Sequence, residues 1–205
     1  MLDCLRAHRL RDDDHGVGML KLNLGCGSKV FEGWINVDKY SYFPVDVVHD
    51  LEEFPYPFDD DSCDEIVMNH VLEHLGRDPN VFNKIISELY RICKNEASVQ
   101  INVPHPRHDN FLSDPTHVRP INANVLSLYD KQLNKDWEQR NIANTPLGLI
   151  LNVDFFVDGV ELEVDDVYKK KLANNEITEQ ELWSKISECN NICSEIRIKW
   201  KCRKP

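Results

Sequence analysis

A glycine turn between two short apolar segments holds the first residues that could do chemistry. Residues 20–24 alternate apolar and polar side chains, and Gly25-Cys26-Gly27 follows at once. Glycine adopts positive φ and lets a ligand approach the main chain closely. Asp38 ends the next apolar run, and a carboxylate at this position accepts hydrogen bonds from two ribose hydroxyls. The pattern predicts a site for a nucleoside-bearing cofactor.

The spacing between the turn and the carboxylate separates classes of nucleoside cofactor. A dinucleotide fingerprint reads G-x-G-x-x-G, opens a helix and has its acidic residue about 20 residues further on. Here Val30 occupies the third glycine position, and Asp38 lies only 13 residues after Gly25. That interval has no room for a full helix, so a pyrophosphate would lack a helix N-terminus to bind. We favour a cofactor with adenosine and no phosphate, and keep an NAD enzyme as the less favoured alternative.

The elements that position these residues alternate between strands and crossovers. Strands are predicted over 20–24, 35–38, 45–48, 64–69 and 98–103, with a helical turn over 70–75 and a helix over 79–93. Asp78-Pro79 opens that helix with an N-cap and a proline at the first helical position. This alternation predicts an α/β protein with a doubly wound, mostly parallel sheet. Its ligand crevice should lie beyond the carboxyl ends of the strands.

The second half of the chain is predicted from turn and cap signals. Residues 104–120 contain too many prolines for regular structure. Asp158-Gly159 is a favoured two-residue hairpin turn, and Thr178-x-x-Glu181 is a capping box. The predicted elements are a helix over 122–134, strands over 149–157 and 160–164, a helix over 178–187 and a last strand over 194–203. One face of that last strand is basic, so it either contacts an acidic ligand or is solvated and paired with acids.

The order of the motifs resembles class I S-adenosylmethionine-dependent methyltransferases, most closely the small type 11 branch with an abbreviated first crossover. The motifs are Leu22-Asn-Leu-Gly-Cys-Gly27, Gly33-Trp-Ile-Asn-Val-Asp38, Asp50-Leu51, Pro57-Phe-x-Asp-x-Ser-x-Asp64 and His70-Val-Leu-Glu-His74. The resemblance implies a Rossmann-like fold with a seven-stranded, mostly parallel sheet and an antiparallel last strand. We expect an N-terminal arm over 1–19 and a single domain over 20–205, with a cofactor half over 20–104.

The resemblance also implies S-adenosyl-L-methionine as the cofactor and nine residues around it. These are Gly25, Cys26 and Gly27 beside the methionine part, Asp38 with its neighbour Lys39 at the ribose, Asp50 and Leu51 at the adenine, and Asn69 and His70 at the sulfonium and the substrate entrance. The sulfonium is already an activated electrophile, so catalysis is mostly alignment of the reacting atoms. A base is needed if the acceptor is a hydroxyl.

A cluster of histidines and aspartates follows the fifth predicted strand. His105, His108, Asp109, Asp114 and His117 fall within 13 residues. Three interpretations stay open: structural hydrogen bonding within the loop, substrate binding with a histidine as general base, and a metal site of two histidines and a carboxylate. We take His105, Asp109 and His117 as candidate catalytic residues in the substrate half over 105–205, and assign no metal.

Composition limits the classes of function. The 205 residues carry a net charge of −11, which disfavours general nucleic-acid binding. No apolar run approaches the roughly 20 residues that cross a bilayer. The seven cysteines follow no paired framework, so we expect reduced thiols in a cytoplasmic protein. Cys189 and Cys193 lack a partner pair at zinc-finger spacing. The charged N-terminus is expected to be a frayed arm or a lid over the cofactor.

The leading hypothesis for function is a methyltransferase acting on a small-molecule or sugar-like acceptor. One alternative is a protein or RNA methyltransferase that uses the basic last strand. Another is a methyltransferase-like module that binds a partner without catalysis. The sequence predicts a small-molecule substrate with no membrane partner, and it leaves a homodimer open.

Overall fold

A seven-stranded sheet forms the centre of the computed structural model, which describes residues 18–205. The predicted N-terminal arm lies outside the described residues except for Gly18 and Met19. The strands are β1 (Lys21–Leu24), β2 (Ile35–Asp38), β3 (Val47–Val48), β4 (Cys63–Asn69), β5 (Cys93–Pro104), β6 (Phe155–Val164) and β7 (Cys193–Cys202). The helices are α1 (Pro79–Ile92), α2 (Asp109–Leu112), α3 (Ala123–Ser127), α4 (Lys131–Gln139), α5 (Leu147–Ile150), α6 (Asp166–Ala173) and α7 (Glu179–Glu188), and residues Leu72–His74 form a 3₁₀ turn.

The sheet has the order β3-β2-β1-β4-β5-β7-β6. The first five strands in this order pair in parallel, while β7 runs antiparallel to both β5 and β6. The doubly wound, mostly parallel sheet with an antiparallel last strand is therefore confirmed. Because β1 lies between β2 and β4, the segments that follow these three strands meet at one edge of the sheet.

Helix α1 covers one face of the sheet and shows why the first half of the chain folds as predicted. Asp78 accepts a hydrogen bond from the Asn80 amide, and Pro79 opens the helix. The buried face consists of Phe82, Ile85, Ile86, Leu89 and Ile92. These side chains join one hydrophobic core with strand residues from β1, β4, β5 and β7. Among residues 18–205, no helix is long and apolar enough to cross a membrane.

The predicted hairpin at Asp158-Gly159 is wrong. β6 passes through this dipeptide as one strand, and residues 147–150 are helical rather than extended. Both flanks of the dipeptide pair with β7, with Val157 opposite Trp200 and Gly159 opposite Lys199. The register shifts between Val157 and Gly159, so the glycine marks a β-bulge. The predicted hairpin would have paired neighbouring residues with each other, whereas this segment pairs with β7.

The predicted helix over 122–134 is also wrong in its extent. It divides into α3 and α4 because Asp130 caps α4, accepting hydrogen bonds from the amides of Gln132 and Leu133. Asn122 caps α3 in the same way, accepting from the Val125 amide. Two further helices stand where none was predicted: α2 inside the proline-rich segment and α6 after β6. Each of them begins after a side-chain cap, at His108 and Asp165.

Candidate active site

The turn after β1 is held against β2 by backbone hydrogen bonds. The amides of Gly25 and Cys26 both donate to the Val37 carbonyl, at 2.8 and 3.0 Å. Gly25 has φ +67°, and a Cβ there would lie 2.5 Å from a Val71 methyl. Gly27 has φ +50°, and the position of its missing Cβ has no atom within 4 Å. The first glycine is thus required by close packing, and the second faces open space that a ligand can fill.

The Asp38 carboxylate is fixed beside this turn. Its Oδ2 accepts from the Gly27 amide at 2.9 Å, and its Oδ1 accepts from the Tyr40 amide at 3.0 Å. An ionised carboxylate has about four acceptor sites, so this group keeps capacity for the hydroxyls of a ribose. Burial, and then the charge of Asp38, raises the pKa of the Cys26 thiol. The Cys26 thiol therefore lines the site in its neutral form and is a poor nucleophile.

A buried polar network replaces a helix between β1 and β2. Residues 25–34, all of them described, contain no helix. The Asn23 side-chain amide donates to Asn36 Oδ1 at 2.9 Å and to the Lys29 carbonyl at 2.7 Å. Asn36 Oδ1 also accepts from the Phe31 amide, and its Nδ2 donates to Asp46 Oδ2. Sequence reasoning missed this network, although two asparagines inside buried apolar strands were a usable signal.

Asp50 and Leu51 follow β3 and lie beside the end of β2. The His49 amide donates to the Asp38 carbonyl at 3.0 Å, which joins the two strand ends. Asp50 Oδ1 accepts from the Glu52 amide at 3.0 Å, and Leu51 is buried. This hydrogen bond brings the segment that leads into Asp50 to the end of β2, and the adenine-binding role of Asp50 and Leu51 stays a prediction. Lys39 is exposed.

Asn69 and His70 end β4 on the other side of the glycine turn. Asn69 Oδ1 accepts from the Asn102 side chain, and the His70 amide donates to the Asn102 carbonyl at 2.8 Å. His70 has φ +53°, which is unusual for a residue with a side chain. This strained backbone at the carboxyl end of the central strand turns the imidazole out of the sheet, where it is 43% exposed.

Two carboxylates flank the His70 imidazole. Its Nε2 lies 2.8 Å from Glu195 Oε2, and its Nδ1 lies 3.5 Å from Glu73 Oε1. The close contact with the Glu73 carboxylate is the largest effect that raises the pKa of His70, and Glu195 adds to it against the opposing effect of burial. Neither glutamate was among the predicted site residues. Glu195 comes from β7, so only the tertiary fold brings it here.

The three predicted catalytic residues lie in different surroundings. His105 Nδ1 accepts from the Arg107 amide at 3.1 Å, and burial, followed by the charge of Arg107, lowers the pKa of His105. Asp109 opens α2 with an exposed side chain. His117 packs in contact with His74 instead, with ring centroids 4.6 Å apart. No hydrogen bond or ion pair joins the three predicted residues within residues 18–205. Their catalytic role stays a prediction.

The basic face of β7 is paired with carboxylates. Its three cations and Arg203, the residue after it, each have an acidic partner within 4 Å: Arg197 with Glu163 and Glu195, Lys199 with Asp158, Lys201 with Glu96, and Arg203 with Asp130 and Asp154. This face therefore presents alternating charges rather than a continuous cationic strip.

The six cysteines of the described residues are all free thiols, and Cys189 and Cys193 are not part of any metal-type cluster there.

Residues 27–101 match the family model of a methyltransferase domain of type 11. The fold is similar to a solved S-adenosylmethionine-dependent methyltransferase from Archaeoglobus fulgidus, with a TM-score of 0.58, 22% identity, and coverage of 90% of this chain and 86% of that one. It is also similar to a methyltransferase of that kind from Methanosarcina mazei, with a TM-score of 0.50, 14% identity, and coverage of 90% and 92%. No curated protein matches the sequence.

The methyltransferase domain of type 11 matched over residues 27–101 and the similar fold support a class I S-adenosylmethionine-dependent methyltransferase. That class implies S-adenosyl-L-methionine as the cofactor. The resemblance found in the motifs and the cofactor expected from it are thereby confirmed. The matched stretch begins in the glycine turn and ends in β5, so it lies within the half of the chain that was predicted to hold the cofactor.

Proposed function

We propose that this methyltransferase modifies a small, sugar-like acceptor rather than a nucleic acid. The pairing of the three basic side chains of β7 and of Arg203 with carboxylates is the observation that carries this choice. A surface that follows a phosphate backbone needs unpaired lysines and arginines, and the chain has a net charge of −11. The basic face of the last strand was the reason to consider an RNA acceptor, and its pairing with carboxylates removes that reason.

The cofactor is held, in this proposal, by the residues that follow β1, β2 and β3. The open space at Gly27 takes the methionine part, and the fixed carboxylate of Asp38 accepts from the ribose hydroxyls. Asp50 and the Leu51 amide bind the adenine. When bound, the cofactor supplies a methyl group already activated on a positively charged sulfur. The work left to the chain is to orient the two partners and to exclude water.

The acceptor lies, in this proposal, on the side of the turn formed by β4 and β7. Asn69, His70 and Glu195 supply amide, imidazole and carboxylate groups within one hydrogen-bonded cluster. Such a mixed set of donors and acceptors suits the neighbouring hydroxyls of a sugar-like molecule. Glu195 also accepts from Arg197 Nε at 2.7 Å, which fixes its orientation.

The cofactor half of the proposal is tested by calorimetric titration with S-adenosylhomocysteine. Asp38→Ala should weaken binding by at least tenfold, because it removes the acceptor for both ribose hydroxyls. Glu32→Ala is the matched control, since Glu32 is an exposed carboxylate in the same turn, and it should bind as wild type does. Equal affinities of Asp38→Ala and wild type would refute the assigned site.

The acceptor half is tested with radiolabelled S-adenosylmethionine and a cell extract separated by size. We expect label in the small-molecule fraction. Label confined to the RNA or protein fraction would refute the proposed acceptor class. Cofactor binding without transfer to any fraction would instead support the non-catalytic module.

A further inference from the structure

Glu73 is a buried carboxylate whose oxygens accept no hydrogen bond of ordinary length. Its side chain is completely buried, and neither oxygen has a hydrogen-bond donor among the described residues. Burial of an ionised carboxylate is strongly unfavourable unless a cation or several donors compensate for it. The ion-pair neighbours of Glu73 among residues 18–205 are two imidazoles, His70 Nδ1 at 3.5 Å and His74 Nε2 at 4.0 Å.

Two histidines converge on this carboxylate. His74 and His117 contact each other edge to face, and His74 Nε2 lies 4.0 Å from Glu73 Oε1. One donor atom from each of Glu73, His74 and His117 lies within 4.8 Å of the other two. His117 belongs to the loop after β5, whereas the other two residues belong to the turn after β4.

The hydrogen bonds of the two imidazoles leave both Nε2 atoms with a free lone pair. His117 Nδ1 lies 2.7 Å from the Phe111 carbonyl, which only accepts, so Nδ1 carries the proton. His74 Nδ1 lies 2.9 Å from Thr116 Oγ1, whose own proton goes to Asp114 Oδ1 at 2.6 Å. His74 Nδ1 is therefore also the donor.

We propose that Glu73, His74 and His117 bind a divalent metal ion of the zinc type. Two histidines and a glutamate are a known zinc ligand set, and imidazole nitrogen disfavours magnesium and calcium. Histidines that bind metals almost always donate their other N–H to a carbonyl or a similar acceptor, as both do here. The ion would bond directly to the Glu73 carboxylate, whose oxygens accept no hydrogen bond from the described residues.

The geometry requires only small movements of side chains. Zinc bonds of about 2.0–2.1 Å in a tetrahedral site place neighbouring ligand atoms about 3.3 Å apart, so each side chain moves inward by roughly 1 Å. The backbone needs no change, because the amides of Val118 and Arg119 already donate to the Glu73 carbonyl at 2.9 and 3.2 Å. His74 is 32% exposed, which leaves one side of the ion open to solvent or to a further ligand.

The ion would connect the loop after β5 to the turn after β4, next to His70. This inference does not depend on the identity of the methyl acceptor. The competing explanation is that the imidazoles of His70 and His74 pair with Glu73 directly, while His117 pairs with Asp114, whose Oδ2 lies 3.9 Å from its Nε2. In that case the protein has no affinity for zinc at this place.

The test is zinc binding by the full chain without an affinity tag, after treatment with a chelator. We expect one tightly bound ion by elemental analysis and calorimetry, and no comparable binding of Mg²⁺. Glu73→Gln and His74→Ala should lose this ion. Glu195→Gln and His49→Ala are the matched controls: Glu195 is the other carboxylate beside His70, and His49 is a histidine outside the cluster. Both controls should retain the ion.

A second variant makes the test independent of the folding of Glu73→Gln. Thr116→Val keeps the shape of the side chain but removes the acceptor for His74 Nδ1, and it should weaken zinc binding by about 10- to 100-fold. Absence of zinc binding by wild type would overturn the proposal. So would zinc binding that Glu73→Gln, His74→Ala and Thr116→Val leave unchanged.

Discussion

At the scale of single residues, the glycine turn combines two different requirements. Gly25 is enclosed, with positive φ and a Val71 methyl in the way of any Cβ, whereas Gly27 has positive φ and open space. A side chain in the left-handed region costs about 1–2 kcal/mol at either position. Only Gly25 adds overpacking, which typically costs about 1–3 kcal/mol. The motif thus contains one glycine for packing and one for the ligand.

Gly25→Ala should therefore lower the free energy of unfolding by about 2–5 kcal/mol, and Gly27→Ala by about 1–2 kcal/mol. Gly27→Ala should nevertheless weaken cofactor binding, because its methyl group enters the open space. Urea unfolding and titration with S-adenosylhomocysteine measure the two effects. Equal losses of stability in the two variants would contradict this division of roles.

At the scale of elements, the first half of the sheet and its last strand were predictable, whereas β6 was not. Residues 20–24 and 64–69 are short apolar runs whose parallel neighbours follow in sequence order, so pattern and motif order agree. The β6 prediction failed because Val157 and Gly159 find their partner in β7, far along the chain. The nine cofactor residues came from motif order. Glu195 and the pairing of His74 with His117 could not be predicted, since both depend on tertiary contacts.

The link between β1 and β2 depends on Asn36, which bonds to Phe31 and Asp46 as well as to Asn23. Asn36→Ala leaves these buried groups without partners, and we expect a loss of about 2–3 kcal/mol in the free energy of unfolding. Asn124→Ala, at an exposed position in α3, is the control and should change stability little. Denaturant unfolding measures the free energy of unfolding of both variants. An unchanged value for Asn36→Ala would show that the network is dispensable.

Helix α1 is joined to the loop before β4 by a charged network with a defined pH dependence. Burial alone raises the pKa of Glu88, but hydrogen bonds from Arg91 and the Tyr56 amide outweigh it and lower the pKa. A carboxylate whose pKa is depressed on folding stabilises the protein above its unfolded pKa of about 4.3. This contribution is lost as the pH falls through the folded pKa.

Glu88→Gln should therefore destabilise the protein at pH 7, and its stability should decline less than that of wild type as the pH falls below about 4.3. The measurement is the free energy of unfolding across this range. Parallel pH profiles of the variant and wild type would contradict the assigned role. Glu179→Gln, an exposed carboxylate in the first turn of α7, serves as the control.

At the scale of the whole molecule, the distribution of charge disfavours the binding of polyanions such as RNA. The net charge is −11, and the cations of β7 are engaged by neighbouring acids. Lys199, for example, lies 3.1 Å from Asp158, whose carboxylate would repel a phosphate. A homodimer stays a prediction.

The protein should thus show no measurable binding to a mixed RNA pool at about 0.1 M salt, where the Debye length is about 10 Å. Fluorescence anisotropy of labelled RNA measures this. Binding that weakens steeply with added salt would point to a cationic surface elsewhere and would contradict the charge argument.

The helix-free link between β1 and β2 has an electrostatic consequence for the two forms of the cofactor. A helix starting at the glycine turn would place the positive end of its dipole, worth about 0.3–1 kcal/mol near a charge, beside the ligand. This chain has no helix over 25–34, so the positive sulfonium of the substrate form meets no such repulsion. Dissociation constants for S-adenosylmethionine and S-adenosylhomocysteine should accordingly differ by less than about fivefold. The two forms of the cofactor would then compete for the site on nearly equal terms.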